Sequence, residues 1–204
     1  MFRFEELYRK KGKFHIAGID EAGRGPLAGP VVAAAVVLPV VIGIDGINDS
    51  KKLSEKVRSD LFEKLLRCPS VQIGVGIVSE RIIDEINILQ ATKLAMKQAI
   101  ENLPQQPDHL LIDGLSLDGV LITQTKIIKG DSCSISIASA SIIAKVIRDA
   151  IMVEYEKELP GYNFAKHKGY GTQDHCDALL KKGVSCIHRK TFAPVVNLRD
   201  RNLL

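Results

Sequence analysis

The feature of this sequence that most restricts its fold is the alternation of short apolar runs with helical patterns. We interpret the apolar runs as strands at residues 14–19, 31–38, 71–78, 109–112, 120–123 and 126–128. The helical patterns cover residues 55–67, 80–86, 88–102, 139–159 and 173–182, and Ser54 and Ser79 are N-cap residues for the first two. This alternation predicts an α/β fold in which a mixed sheet is flanked by helices, with a small helical C-terminal part.

One apolar stretch is long enough to cross a membrane, because residues 25–44 contain no charged side chain. Pro26, Pro30, Pro39 and three glycines interrupt it, and prolines at this density oppose a continuous helix. We therefore interpret the stretch as one or two buried strands with a turn near Pro39. No association with a membrane is predicted.

The chain of 204 residues is long enough to bury about 70% of its surface as a single domain. The best internal boundary is at residues 159–161, between residues 1–159 and a C-terminal segment, residues 160–204, that we expect to pack on them. The four cysteines form no CxxC pair and no export signal is recognisable, so we expect a reducing, cytoplasmic location.

The net charge of +4 is unevenly distributed along the chain. Residues 1–156 contain 19 basic and 20 acidic side chains, whereas residues 157–204 contain nine basic and four acidic ones. A basic C-terminal segment is typical either of a solvated surface or of an arm that contacts phosphates. Composition does not choose between the two.

Acidic residues beside a glycine end three of the apolar runs. They are Asp20 with its neighbour Glu21, Asp113, and Asp131. One such pair is usually only a turn, but if these strands are neighbours in one sheet, their ends bring the carboxylates together. Close carboxylates raise one another's pKa unless cations lie between them. Because oxygen ligands without His or Cys favour hard ions, the pattern predicts a site for Mg²⁺ or Mn²⁺.

Asp20 and Glu21 are adjacent, and adjacent residues of a regular strand point to opposite faces of the sheet. If both serve one site, we expect the strand to break there. Gly23 and Gly25 follow immediately, and glycines allow the backbone to turn and to approach a ligand closely. From the residues alone, a glycine-rich turn without a ligand explains this segment equally well.

Three other kinds of site are disfavoured. The chain has no GxxxxGK[ST] sequence, and Gly23, Gly25 and Gly29 do not form a GxGxxG motif before a helix. His175, Cys176, Cys186 and His188 lack the paired spacing that is typical of a zinc site. No nucleophile elbow accompanies the candidate residues for Ser–His–Asp catalysis.

Eight segments of the chain resemble, in order and over nearly its whole length, the motifs of the type 2 ribonucleases H, the ribonuclease HII family of bacteria. They are GIDEAGRGPLAGPVV at 18–32, NDSKKLS at 48–54, ILQAT at 88–92, IDG at 112–114, KGD at 129–131, SASIIAKVIRD at 139–149, HKGYGT at 167–172 and HRKTFAP at 188–194.

The resemblance implies an RNase H-like fold with a mixed five-stranded sheet and a helical C-terminal part. It implies endonucleolytic cleavage of RNA in RNA–DNA hybrids and nicking at single ribonucleotides in duplex DNA, by two Mg²⁺ or Mn²⁺ ions, with 3′-hydroxyl and 5′-phosphate products. The implied catalytic and metal-binding carboxylates are Asp20, Glu21, Asp113 and Asp131. The implied nucleic-acid contacts are Gly23, Arg24 and Gly25 at the ribose 2′-hydroxyl, Tyr170 at the adjoining deoxyribose, and Lys51 and Lys52 at phosphates. No protein partner is evident, and we expect a monomer.

Two rival functions share some of these features. A metal-dependent nuclease, resolvase or transposase core of the same superfamily would share the acidic cluster but would need neither the Gly23–Gly25 loop nor Tyr170. A non-catalytic nucleic-acid-binding protein would suit the basic C-terminal segment. A protein that only binds nucleic acid, however, has no use for four acids beside a phosphate.

Overall fold

A mixed sheet of five strands forms the centre of the structure, a computed structural model that describes residues 1–201. The strands are β1 (Ile16–Ala22), β2 (Val31–Val37), β3 (Gln72–Val78), β4 (His109–Asp113) and β5 (Gln124–Ile127), in the spatial order β3-β2-β1-β4-β5. The pairs β1–β2 and β2–β3 are antiparallel, whereas β1–β4 and β4–β5 are parallel. This arrangement confirms the predicted mixed five-stranded sheet.

Helices cover both faces of the sheet. The described part of the chain contains α1 (Arg3–Arg9), α2 (Glu55–Arg67), α3 (Glu80–Glu101), α4 (Ile135–Glu158), α5 (Phe164–His167), α6 (Gln173–Lys182), α7 (Val195–Arg201) and a 3₁₀ turn at Gly130–Ser132. Helix α3 packs on one face, and α2 with α4 packs on the other. None of the helices within residues 1–201 is long and apolar enough to span a membrane.

Strand β2 explains why the longest uncharged stretch of the sequence is so rich in small residues. All seven of its residues are buried. Val31 and Ala33 pack in the cluster with α3, and Val32 and Ala34 pack in the cluster with α2 and α4. A strand that is covered on both faces reads as a continuous apolar run, and the alanines let both helices approach it closely.

Most helix caps and boundaries that the sequence predicts agree with the structure. The Ser54 and Ser79 side chains accept hydrogen bonds from the N–H groups of Val57 and Ile82, which confirms both N-caps. The predicted division after residue 86 is also confirmed, because Asn87 has a left-handed φ of 66° and interrupts α3.

Helix α4 begins four residues earlier than predicted, at Ile135 rather than Ser139. Ser134 is its N-cap and accepts from the Ile137 N–H. The buried Glu5 carboxylate of α1 accepts from the Ser134 hydroxyl at 2.5 Å and from the Ser136 N–H at 3.0 Å. A long-range partner therefore satisfies the first turn of this buried helix, and local periodicity did not reveal it.

The strand predicted at residues 120–123 is wrong, and β5 at Gln124–Ile127 replaces it together with the prediction at 126–128. Residues 120–123 lie in a loop that follows the turn at Gly119, whose φ is 76°. Val120 and Ile122 pack against the core while Leu121 is 99% exposed. The loop therefore imitates the alternation of a strand, although pairing with β4 begins only at Gln124.

The C-terminal segment packs on the rest of the chain. Phe164 of α5 and Ile187 share an apolar cluster with Met152 of α4 and with Ala28. A single antiparallel bridge joins Ala28 to His188. The predicted division at residues 159–161 stays a prediction.

Candidate active site

The ends of the two parallel strands β1 and β4 bring the first pair of acids together. Pairing between these strands runs as far as Ile19 opposite Ile112, so Asp20 and Asp113 are the next residues of each strand. Asp131 lies in the 3₁₀ turn after β5, and the N–H of Gly130 in that turn donates to Asp113 Oδ1 at 2.7 Å. The acids at three strand ends therefore meet at one edge of the sheet, as the sequence pattern indicated.

Strand β1 does not break at Asp20 and Glu21, contrary to our expectation. Its pairing with β2 continues through Glu21 opposite Ala33 to Ala22 opposite Val32. On its other side, pairing with β4 has already ended, so the last residues of β1 form an open edge of the sheet. The carboxylates of Asp20 and Glu21 still interact at such an edge, so no break is needed.

Burial dominates the electrostatics of Asp20, whose residue is only 4% exposed. Burial raises its pKa well above the ordinary value, and the charges of Glu21 and Asp113 raise that pKa further. Hydrogen bonds from Ser141 and from the Glu21 N–H, the latter at 2.8 Å, oppose the rise. The Ser141 hydroxyl is also 2.8 Å from that of Ser50, which fixes it next to the carboxylate.

The surroundings of Glu21 and Asp131 also disfavour the charged forms of their carboxylates. Burial raises the pKa of Glu21, while Arg24, 3.3 Å away, counteracts this shift. Burial and the neighbouring Asp49 raise the pKa of Asp131, and Lys51 Nζ at 3.7 Å lowers it. Among the described residues, the buried Glu21 Oε2 has no hydrogen-bond partner.

The donor set fits a hard divalent cation, because it consists of carboxylate oxygens whose mutual repulsion a cation would relieve. The unpartnered Glu21 Oε2 provides a free ligand atom. Within residues 1–201, however, no three His, Cys, Asp or Glu side chains are arranged to hold an ion as they stand. The carboxylates would therefore have to close on a cation when it binds.

A cleft of about 210 Å³ lies beside these acids. Its lining residues are Glu21, Ala22, Gly23, Arg24, Gly25, Ser50, Lys51, Ser141, Lys145 and Tyr170. The structure thus brings Glu21, the Gly23–Gly25 loop, Lys51 and Tyr170 to one cleft. Lys52 does not line it and instead pairs with Asp49 at 3.8 Å.

Two buried arginines that sequence reasoning missed hold the Gly23–Gly25 loop and the residues that follow it. Arg189 donates to the carbonyl oxygens of Gly23 at 2.5 Å and Arg24 at 2.9 Å, and Arg148 donates to those of Ala28 and Pro30. Both lie in segments that match the family motifs, but charge and periodicity alone did not distinguish them from surface arginines. Among residues 1–201, the amides of Arg24 and Gly25 have no hydrogen-bond acceptor.

Tyr170 lies next to this loop. A Cβ atom built on Gly25 would be 3.9 Å from Tyr170 Cε1, and the Arg148 guanidinium is 6.0 Å from the centre of the tyrosine ring. The residue is 44% exposed. Its ring is therefore available to a ligand in the cleft and is not part of the core.

Comparisons with known proteins show which family the chain belongs to. The sequence model of the family described as ribonuclease HII matches residues 17–195. The chain is 56% identical over 195 residues to ribonuclease HII of Geotalea uraniireducens, covering 96% of this chain and 90% of that protein. It is also 56% identical over 203 residues to ribonuclease HII of Bacillus cytotoxicus, covering 100% of this chain and 78% of that protein.

Among solved structures, the ribonuclease H2 of Pyrococcus horikoshii superposes with a TM-score of 0.73 at 26% identity, covering 91% of this chain and 97% of that one. Its similarity supports the RNase H-like fold that the resemblance implied. Together with the family match over most of the sequence, these relatives show that the chain belongs to the ribonuclease HII family and is a ribonuclease H.

Proposed function

We propose that this ribonuclease H cleaves the RNA strand of RNA–DNA hybrids and also nicks duplex DNA at single embedded ribonucleotides. Cleavage would use two divalent ions, Mg²⁺ or Mn²⁺, and would leave 3′-hydroxyl and 5′-phosphate ends. The observation that carries the proposal is that Glu21, one of the clustered carboxylates, lines the same cleft as the Gly23–Gly25 loop and the exposed Tyr170. The free thiols of all four cysteines fit the predicted reducing, cytoplasmic location.

The four carboxylates would hold the ions. Asp20 is central because it interacts with both Glu21 and Asp113, whereas Asp131 approaches from the turn after β5. Divalent ions in such a site supply an activated water and neutralise the charge that develops on the phosphate and on the leaving oxygen. Ser141 and the Glu21 N–H orient the Asp20 carboxylate toward this task.

The Gly23–Gly25 loop suits recognition of a ribose 2′-hydroxyl. Arg189 occupies the carbonyl oxygens of Gly23 and Arg24, while the amides of Arg24 and Gly25 have no acceptor within residues 1–201. Free amides on a fixed loop can donate to a hydroxyl or to a phosphate oxygen. A loop that binds the 2′-hydroxyl distinguishes RNA from DNA at a single nucleotide, because only RNA has this group.

The structure supports Lys51 as a phosphate contact better than it supports Lys52. Lys51 lines the cleft and lies 3.7 Å from Asp131, so a phosphate there would meet its ammonium group. The carboxylates of Asp131 and Asp20 raise the pKa of Lys51 although partial burial opposes this, so the side chain stays charged. Lys52 does not line the cleft, and its role as a phosphate contact rests on the resemblance alone.

The test is cleavage of a DNA duplex that contains one ribonucleotide, with Mg²⁺, Mn²⁺ or EDTA, beside a continuous RNA–DNA hybrid. We expect metal-dependent products from both substrates, with a 3′-hydroxyl at the cut. Cleavage of an all-DNA duplex at a comparable rate would favour the general nuclease or resolvase alternative. Cleavage in EDTA would contradict the role of divalent ions.

A second experiment concerns Tyr170. A ring packs closely on a deoxyribose, whereas a 2′-hydroxyl would lift the sugar off the ring. We expect Tyr170→Ala to reduce cleavage at an RNA-to-DNA junction more than cleavage within a continuous hybrid, with an unchanged melting temperature. Equal losses on both substrates together with a lower melting temperature would instead show that Tyr170 is a structural residue.

A further inference from the structure

Three of the histidines are buried together beneath Tyr170, and the proposed chemistry uses none of them. His167, His175 and His188 are at most 8% exposed and surround Phe164. His175 stacks on His167, with 4.4 Å between ring centres. Each of the six ring nitrogens has a hydrogen-bond partner.

Backbone groups at the two ends of the cluster determine which nitrogens carry protons. The Ser185 N–H points at His188 Nδ1 at 3.0 Å, and a nitrogen that accepts from an N–H has no proton of its own. The proton of neutral His188 is therefore on Nε2, which faces His175 Nε2 at 3.0 Å. The Ser185 hydroxyl, 2.7 Å from His188 Nδ1, then also acts as a donor.

The hydrogen bonds continue in the same donor-to-acceptor direction from His188 to Tyr170. Since His175 Nε2 accepts from His188, the proton of neutral His175 is on Nδ1, and it donates to the Tyr170 carbonyl oxygen at 2.9 Å. A carbonyl oxygen can only accept, so both ends require the same pair of tautomers. One hydrogen-bond chain thus runs from the Ser185 amide through His188 and His175 to the Tyr170 peptide.

His167 holds the peptide between Lys168 and Gly169 in a similar way. The Gly169 N–H donates to His167 Nδ1 at 3.2 Å, and His167 Nε2 donates to the Tyr162 carbonyl oxygen at 2.7 Å. The carbonyl oxygen of Gly169 in turn accepts from the Leu27 N–H at 2.8 Å, next to the Gly23–Gly25 loop. Neutral histidines therefore hold the backbone at the Gly169 N–H and at the Tyr170 carbonyl group, while the tyrosine ring stays exposed.

We propose that His175 and His188 are positioning residues. Their hydrogen-bond chain, in which every donor points toward Tyr170, fixes the Tyr170 peptide against the Gly23–Gly25 loop. It thereby sets how strongly the enzyme prefers a deoxyribose beside the cut. This inference rests on the sugar-reading role proposed for Tyr170. Protonation of either ring would set one N–H against another within the chain. Burial lowers the pKa of both histidines, that of His188 to about 3, so the chain stays neutral at physiological pH.

Two substitutions of His175 separate positioning from packing. In His175→Asn, the amide nitrogen takes the place of Nδ1 and can still donate to Tyr170, whereas in His175→Gln the amide extends toward His188 and this donor is lost. The measured quantity is the ratio of kcat/KM on a duplex with one ribonucleotide to kcat/KM on a continuous hybrid. We expect a fall of about fivefold for His175→Gln and less than about twofold for His175→Asn, since one hydrogen bond is worth about this much.

Double variants with Tyr170→Ala decide whether the effect passes through the tyrosine. In that background, His175→Gln should change the ratio no further. Equal losses for Asn and Gln, or full additivity with Tyr170→Ala, would overturn the positioning role while leaving the role of Tyr170 intact. An unchanged ratio in Tyr170→Ala alone would overturn the role of Tyr170 and this inference with it.

A measurement on the wild-type enzyme keeps the inference testable even if a variant fails to fold. Nitrogen-15 NMR of the imidazole rings at neutral pH should find the proton of His188 on Nε2 and that of His175 on Nδ1. The opposite tautomer of either ring, or a doubly protonated ring, would overturn the inference.

Discussion

At the scale of single residues, the site carries charges that the protein alone does not balance. Burial and neighbouring carboxylates raise the pKa of Asp20, and the cations of the site, Lys51 and Arg24, form their ion pairs with Asp131 and Glu21. Removing the Asp20 charge should therefore relieve repulsion in the metal-free protein while removing a ligand from the site. Stability and activity should change in opposite directions.

The first prediction is that Asp20→Asn abolishes metal-dependent cleavage and raises the melting temperature in EDTA by about 2–4 °C, the effect of about 1 kcal/mol in a domain of this size. Asparagine keeps an oxygen for the Glu21 N–H. Asp118→Asn is the matched control, because Asp118 is exposed and pairs with Lys93, away from the acidic cluster. A lower melting temperature with retained cleavage would show that Asp20 is a structural residue.

At the scale of the elements, two helices lie close to the sheet because the strand residues that face them are glycines, which have no side chain. Gly18 of β1 faces the first turn of α4, and a Cβ atom there would lie 2.1 Å from the Ser136 carbonyl carbon and 2.2 Å from the Ile137 nitrogen. Gly76 of β3 meets the Ala95 carbonyl oxygen of α3 at 2.0 Å in the same way. Both helices therefore lie against glycine, and Gly18 is only two residues from Asp20.

The second prediction is that Gly18→Ala lowers the free energy of unfolding by about 3 kcal/mol or more, because the added methyl group meets backbone that cannot move without shifting α4. Gly43→Ala is the control: nothing lies within 4 Å of its Cβ position, and it should be nearly neutral. Urea denaturation of both variants makes the comparison. Equal stabilities would mean that α4 can move away from β1 without cost.

The sequence predicted those elements whose signals are local. The Ser54 and Ser79 caps and the strand β2 were found because a few adjacent residues determine them. The signals that were missed depend on distant partners: Glu5 caps α4 across the fold, and β5 begins where β4 offers a partner. Clustering of the acids followed from strand order, but the buried role of Arg189 became visible only once the loop carbonyls around it were placed.

At the scale of the whole molecule, the C-terminal segment exposes several of its lysines on the surface. Lys181, Lys182 and Lys190 are exposed. Lys10, Lys11 and Lys13 precede β1, at the opposite end of the sheet from the acids. The two groups are similar in charge and differ in position, so they can be compared directly.

The third prediction is that neutralising Lys181, Lys182 and Lys190 together with Gln weakens substrate binding and flattens its dependence on salt. For every lysine that binds a phosphate in the wild type, the substitution should reduce the slope of log K against log salt by about 0.9. The same changes at Lys10, Lys11 and Lys13 should leave the slope unchanged. If the C-terminal variant also keeps the wild-type slope, these lysines only face solvent.

The last prediction concerns the stability of the whole chain in mild acid. Burial lowers the pKa of His188 to about 3, and it also lowers the pKa of His167 and His175. Between pH 6.5 and 3 the unfolded chain therefore binds protons that the folded chain does not. The stability that the neutral histidines provide is complete above pH 6.5 and is lost as the pH falls toward 3. For His188 alone, the loss between pH 7 and pH 5 amounts to about 2 kcal/mol.

The raised pKa values of Asp20, Glu21 and Asp131 act in the opposite direction, because they favour the folded state as the pH falls. Comparing variants separates the two effects. Urea denaturation in EDTA at pH 7 and pH 5 should show a smaller loss of stability for His175→Asn, which lacks one buried histidine, than for the wild type, since the acids are unchanged. An identical loss in both proteins, or a His188 ring that titrates between pH 6 and 7 by NMR, would contradict the neutral histidine cluster on which the positioning of Tyr170 depends.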